Sequence, residues 1–401
     1  VNSLPLGTDT IDVHGPNRGF YERATAPEIC AYYQRALETR LLPTGRVRYF
    51  PMCEVLDRRH FVSRLSGARY EVDVRRRWVD ATYLQAAVPA THPPPFEVAP
   101  GARCVPVGEL ARVAERADGY VIVGAGKTAV DACLWLLELG VGPEAITWIK
   151  PRDAWYINRV FAQGGELVGA LFEGLSLQVE AAARATSLED LFARLSAAEQ
   201  LLRVDDRVTP IMFKGATMSA AEVEQLRRIE RVVRLGKVRR IERDAIVLDG
   251  GRLPTSPRHL HVHCAAPGLN PAPAVPIFAE DRITLQPIRT GLIPFNAALV
   301  GYLEATRHDV ADKNRLCPPN AMPDTDRDWA RGTLTSLRAD YLWSKEPDLV
   351  DWLERARLNP SRGLRRYDAD PRVQGARRRF VEHVRPALAR LEQLLAGART
   401  S

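Results

Sequence analysis

The sequence predicts an α/β fold built around a parallel sheet, and three observations predict it. Residues 120–123 form a short apolar β-run. That run ends in Gly124-Ala125-Gly126-Lys127-Thr128-Ala129, after which Ala129, Ala132, Cys133, Leu136 and Leu137 recur at helical spacing. A second apolar run, 146–149, follows within about 30 residues, the length of a βαβ unit.

The rest of the chain is read outward from that unit. Residues 1–24 carry loop chemistry. Thr25 and Glu28 are spaced as a capping box with Pro27 in the first turn, so a helix starts there. Ile29, Tyr32, Tyr33, Ala36 and Leu37 fall on one of its faces, and Pro43-Thr44-Gly45 ends it. Strands are predicted at 46–50, 60–65 and 69–79, the last alternating Tyr70, Val72, Val74 against Glu71, Asp73, Arg75. Pro89, Pro93, Pro94, Pro95, Pro100 and Pro106 mark 88–107 as a stiff linker and a domain junction. Beyond the βαβ unit, 155–232 reads as a helical insert with a second capping box at Ser219 and Glu222. A hairpin is predicted at 237–241 and 245–248, a turn at Gly250-Gly251 and a buried strand at 260–266. A strand at 283–288 and a helix at 294–306 follow. The tail is helical from about 326, interrupted near Pro360 and Gly363, and ends in an amphipathic helix at about 374–396. These elements suggest three domains: 1–115, 116–270 and 271–401.

The glycine segment carries the chemistry. Gly124 makes the tight turn, Gly126 lets a pyrophosphate approach the backbone, and Ala129 lets the helix pack closely on the strand. The helix N-terminus presents amide groups and a favourable dipole to phosphate. Gly124, Ala125, Gly126, Lys127, Thr128 and Ala129 are therefore candidate cofactor-binding residues for NADP(H) or NAD(H). Gly126-Lys127-Thr128 also matches the end of a nucleoside-triphosphate loop, but that loop needs a glycine where Val121 stands inside the strand. At the end of the second strand, Lys150 and Arg152 favour the 2′-phosphate of NADP, while Asp153 favours NAD.

Composition narrows the partners. The 401 residues are 46% hydrophobic and 26% charged, which fits a globular chain of two or three domains at roughly 100–200 residues each. The net charge of +7 is spread among interleaved acidic and basic residues, so no nucleic-acid partner is expected. No apolar run reaches the roughly 18 residues of a membrane span. Cys30, Cys53, Cys104, Cys133, Cys264 and Cys317 follow no disulfide or zinc spacing, as in a cytoplasmic protein with reduced thiols. His259, His261 and His263 alternate along one strand at a spacing tight for one zinc ion, and no metal site is expected there. No catalytic side chain can be assigned.

The glycine unit, the proline-rich segment before it and the strands after it resemble the two-dinucleotide-domain FAD/NAD(P)-binding oxidoreductases, in particular the flavin-dependent monooxygenase-like branch. Gly124, Gly126, Thr128, Ala129 and Asp131 fall on that family's G-x-G-x-S-G-x-D positions, with Thr for Ser and Ala for Gly. His263-Cys264-Ala265-Ala266-Pro267-Gly268 stands where the family has its A-T-G-like strand end, departing from it at Pro267. The resemblance spans most of 20–310. It implies a Rossmann-type NAD(P)-binding domain inserted into an FAD-binding domain that is incomplete here, with a helical insert and a helical C-terminal tail. It further implies hydride transfer from NADPH to FAD, and from the flavin to oxygen or another acceptor. The family's opening G-x-G-x-x-G for FAD has no counterpart in this chain. An upstream FAD βαβ unit is therefore expected, with FAD bound by the full-length form. Without that unit, the strands at 46–50, 69–79 and 283–288 are expected to lack a partner. The alternative is a truncated or degenerate NADP(H)-binding module without turnover.

Overall fold

A computed structural model describes residues 10–269 and 272–397. Residues 1–9 of the N-terminal loop and the 270/271 domain boundary lie outside the described residues. Helix α1 (Ala26–Ala36) starts at the Thr25–Glu28 capping box, and the turn ends at Gly45 in a left-handed conformation. Its apolar face is not covered: Tyr32 and Tyr33 are exposed, and no residue of the helix is buried. β1 (Cys53–Val55), β2 (His60–Ser63) and β3 (Arg69–Glu71) form an antiparallel meander. The predicted strand at 46–50 is absent, because β-branched and aromatic residues need a ladder partner; Phe50 instead packs on Phe61 and Tyr70. The predicted 69–79 strand breaks in two, and its second half is β4 (Trp78–Asp80).

β5 (Ala86–Ala87), β6 (Glu97–Val98) and β7 (Cys104–Pro106) follow, so the proline-rich stretch is more than a linker. Next come β8 (Gly119–Val123), α2 (Lys127–Glu138) and β9 (Ile146–Ile149). The insert holds strands as well as helices: β10 (Ala154–Asn158), α3 (Val168–Arg184), α4 (Leu188–Ala197), β11 (Leu201–Leu202), β12 (Met212–Met218) and α5 (Ala220–Arg227). β13 (Val232–Val233) precedes the antiparallel trio β14 (Val238–Ile241), β15 (Ala245–Leu248) and β16 (Gly251–Pro254). Then come β17 (His259–His263), β18 (Gly268–Leu269) and β19 (Arg282–Thr284), the last shorter than the predicted 283–288. Among the described residues, five α-helices follow: α6 (Ile293–Thr306), α7 (Val310–Leu316), α8 (Asp326–Trp343), α9 (Pro347–Arg355) and α10 (Pro371–Gly397).

The fold is α/β. Its central sheet has the order β13-β9-β8-β17-β7 with every neighbouring pair parallel. Parallel sheets need both faces covered. Ile122 and Trp148 pack against Ala129, Cys133 and Leu136 of α2 on one face. Val121, Val123 and Ile149 pack against Val238, Ile241, Ile246 and Leu248 on the other. β7 can contain Pro106 because it is the edge strand, where a missing donor costs no ladder bond. The insert and the tail share a second core, in which Trp155, Phe192 and Phe213 meet Trp329, Ala387 and Leu391. A third core gathers Phe278, Ile283, Phe295, Leu299 and Trp343. Two small pairs lie outside the sheet: β5 runs antiparallel to β18, and β4 parallel to β19. Among the described residues, no helix is long and apolar enough to cross a membrane. All six cysteines are free thiols.

β8 and β17 end on a close backbone contact. Gly124 has φ +141°, and a β-carbon there would lie 2.8 Å from the Cys264 carbonyl oxygen. Gly124→Ala is expected to lower stability by about 2–5 kcal/mol through backbone strain and overpacking. Thermal unfolding checks this; an unchanged melting temperature would contradict it.

Candidate functional site

The glycine segment sits at the carboxyl end of β8. From β8 the sheet order runs to β9 on one side and to β17 on the other, so the segment marks a topological switch point. Three hydrogen bonds fasten the turn there, one from backbone and two from side chains. Cys264 N–H donates to the Val123 carbonyl (2.9 Å), the Trp148 indole N–H to the Gly124 carbonyl (2.8 Å) and the Tyr156 hydroxyl to the Ala125 carbonyl (3.4 Å). Ala125 and Ala129 are buried, while Gly126 and Lys127 are half-buried and Thr128 is exposed.

The two glycines differ in what the fold asks of them. Gly124 is required by the contact with Cys264. Gly126 has φ −82°, and a β-carbon there meets nothing within 4 Å. It is the N-cap of α2 and supplies no side-chain cap; its carbonyl accepts from the amides of Ala129 and Val130. The amides of Lys127 and Thr128 precede the first intrahelical bond and are the groups a phosphate would take. The Lys127 ammonium is paired with Asp131 and stands 3.9 Å from Glu222.

Glu222 joins the site from α5. Its capping box with Ser219 is as predicted. It also accepts from Arg23 (2.9 Å) and Asn17 (3.3 Å), while Arg159 donates to Asn17 and to the Tyr21 carbonyl, both at 2.6 Å. The segment around 16–23 is thereby fastened beside the glycine turn. Burial opposes the Glu222 charge, but Lys127 and Arg23 prevail and hold its pKa below the usual value. Burial, reinforced by Arg23, lowers the Arg159 pKa to about 10. Sequence reasoning missed this constellation, since its members are far apart in the chain and only the local cap leaves a signal.

At the end of β9 the predicted cations separate. Lys150 is 1% exposed, lies over the Trp148 ring and donates to Asp153 at 2.5 Å. Arg234 donates to the other Asp153 oxygen at 2.8 Å. Burial lowers the Lys150 pKa; Asp153 is also penalised by burial, yet Arg234 and Lys150 hold its pKa down. Arg152 points elsewhere, forming a two-pronged pair with Asp324 at 2.6 and 2.9 Å, and its side chain stays 36% exposed. Lys150 therefore supports the strand end from beneath, and Arg152 is the cation that solvent reaches.

The comparisons with known proteins give relatives without an assigned activity. The chain is similar to uncharacterized proteins of Mycobacterium bovis and of two Mycobacterium tuberculosis strains. Each is 49% identical over 360 residues, covering 90% of this chain and 67% of the relative. No family model and no solved structure matches.

Asp153→Ala would strand a buried cation and is expected to cost about 3–5 kcal/mol at neutral pH. The sign with pH follows from the depressed Asp153 pKa. The contribution is present above the unfolded value of about 3.9 and disappears as pH falls through the folded one. Unfolding midpoints of wild type and variant should differ at pH 7 and converge in acid. A gap of the same size at both ends would assign the loss to packing instead.

Proposed function

This chain belongs to the same family as those mycobacterial proteins, and we propose that it is the pyridine-nucleotide-binding part of a flavoprotein-type oxidoreductase. The observation that carries this reading is Gly126. It is a glycine the fold does not require, at an uncapped helix N-terminus, at the switch point of a parallel sheet, where open α/β sheets bind ligands. The pyrophosphate of NADP(H) or NAD(H) would rest on the amides of Lys127 and Thr128, with Ala125 and Ala129 giving close approach. When bound, the nucleotide supplies a hydride. The chain's own residues bind and orient it.

Three further features support a Rossmann-type unit within a flavoprotein plan. The β14–β16 trio lies in the connection from β13 to β17. The antiparallel β5 and β18 are the segments entering and leaving that unit. The pair β4 and β19 stands outside it as a small parallel sheet. FAD fits this chain less well, because the sequence has no second strand–glycine–helix turn to cradle its phosphates. FAD would need such a unit to hold its pyrophosphate. The same observation favours the second reading, a nucleotide-binding module without turnover. Visible absorbance of the purified protein, and of a version extended upstream, separates the two: flavin in either preparation supports the oxidoreductase.

Gly126→Val is expected to abolish nucleotide binding by calorimetry while leaving the melting temperature nearly unchanged. Retained binding would place the nucleotide elsewhere. NADPH is expected to bind more tightly than NADH, with Arg152 exchanging Asp324 for the 2′-phosphate. Arg152→Ala should weaken NADPH by about 1–3 kcal/mol and NADH far less. Equal affinities in the unmodified protein would defeat the preference.

A further inference from the structure

Along α8, Trp329, Gly332, Thr333, Ser336, Leu337 and Asp340 recur at the three- and four-residue steps that share one helix face. That face is one wall of a cavity of about 260 Å³, close to the lower limit of small-molecule sites at roughly 300 Å³. The small residues in the middle of the stripe leave the hollow. Trp329 and Asp340 stand at its two ends, about 16 Å apart along the helix axis.

The ends differ in chemistry. At the Trp329 end the wall is aromatic and braced. The Phe192 ring meets Trp329 edge-on at 5.6 Å and Phe213 at 6.3 Å, and both Trp329 and Phe213 line the cavity. At the Asp340 end stands Arg289, from the turn before α6. Arg289 lies 4.3 Å over the Trp343 ring and donates through one Nη to Asp340 Oδ1. Among the described residues, no donor reaches Asp340 Oδ2, and no acceptor takes the other side-chain N–H groups of Arg289. Burial raises the Asp340 pKa, with Arg289 opposing, yet 45% of the side chain is accessible. A carboxyl that is surrounded by protein and still accessible faces a cavity rather than open solvent.

The other two charged groups of the lining have partners of their own. Asp328 caps α8 through Thr325 and pairs with Arg331, and Lys214 stands 3.6 Å from Asp324. Lys214 and Arg289 balance Asp328 and Asp340, so the cavity has no excess of either sign to draw an ion. Gln178, Thr290, Asn320, Thr333 and Ser336 add uncharged polar groups to its walls. What is left open at the Asp340 end is one acceptor beside one donor.

We infer that this cavity binds a neutral, elongated molecule with a primary amide or lactam edge at one end and an apolar body. The N–H of that edge donates to Asp340 Oδ2, its oxygen accepts from Arg289, and the body lies toward Phe213 and Trp329. The inference does not depend on a nucleotide at Gly126; it assigns a second site.

Four compounds with one biphenyl body and different head groups test it by ligand-detected NMR at neutral pH: biphenyl-4-carboxamide, its N,N-dimethyl amide, biphenyl-4-carboxylate and 4-phenylbenzylamine. The carboxamide should bind the unmodified protein about ten-fold more tightly than the other three. Asp340→Ala should cost the carboxamide about ten-fold and leave the dimethyl amide unchanged. Asp340→Asn, whose side-chain oxygen still accepts, should keep part of the affinity. Tightest binding of the carboxylate would make Arg289 the anchor of an anion site, and tightest binding of the amine would make the site one for cations. Either result overturns the inference. So does equal affinity for the two amides, which leaves apolar contact as the only attraction, and so does no binding by any of the four. These comparisons need no variant. An equal loss for both amides in Asp340→Ala overturns the inference as well.

Discussion

Where β8 ends, its backbone and that of β17 run so close that only hydrogen fits between them. The rest of the nucleotide end depends on that approach. It sets the ladder bond from Cys264 to Val123, and the turn at Gly124 presents its carbonyl to the Trp148 indole. Trp148 in turn floors the Lys150–Asp153–Arg234 cluster through its ring. A single backbone contact thus fixes the height of the α2 N-terminus relative to the end of β9.

The charged clusters do mechanical work of a similar kind at a distance. Lys313 is fully buried and donates to Glu304 at 2.7 Å, while Arg77 reaches the same carboxylate at 2.5 Å. Burial penalises the Glu304 charge, and the two cations outweigh that penalty and hold its pKa down. Such a buried cluster contributes little net stability over an apolar one, but it fails sharply when one member is removed. It ties the segment before β4 to α6 and α7. The insert and the tail are joined by packing as well as by charge: α3 and α10 share one apolar core, and Arg372 and Arg379 of α10 pair with Glu173 and Glu180 of α3.

What could be read from sequence was what is determined locally. The βαβ unit needs only residues 120–149 to specify it, and the capping boxes at Thr25 and Ser219 need four residues each. The failures all involve partners far along the chain. Cys104–Pro106 reads as linker because of its prolines; it is a strand because β17, more than 150 residues later, offers a free edge. The residues at 46–50 have the right side chains for a strand and no neighbour to pair with. Lys150 looks like a surface cation until Arg234 and Trp148 close over it. His263 looks the same as His261 in the sequence, and only Arg103 and Thr255, the hydrogen-bond partners of His261, tell them apart.

No residue from 22 to 79 is buried. This stretch has well-formed elements, α1 and the β1–β3 meander, yet it buries almost no apolar surface of its own. Its hydrogen bonds are therefore protected by little beyond their own geometry. In native-state hydrogen exchange the amides of β1–β3 should open in a sub-global step, far below the free energy that releases β8 and β9. The protein would then unfold in two tiers rather than one. A melting curve followed by tryptophan fluorescence would report mainly the upper tier, because Trp78 is the one tryptophan in this stretch and Trp148, Trp155, Trp329 and Trp343 sit in the cores.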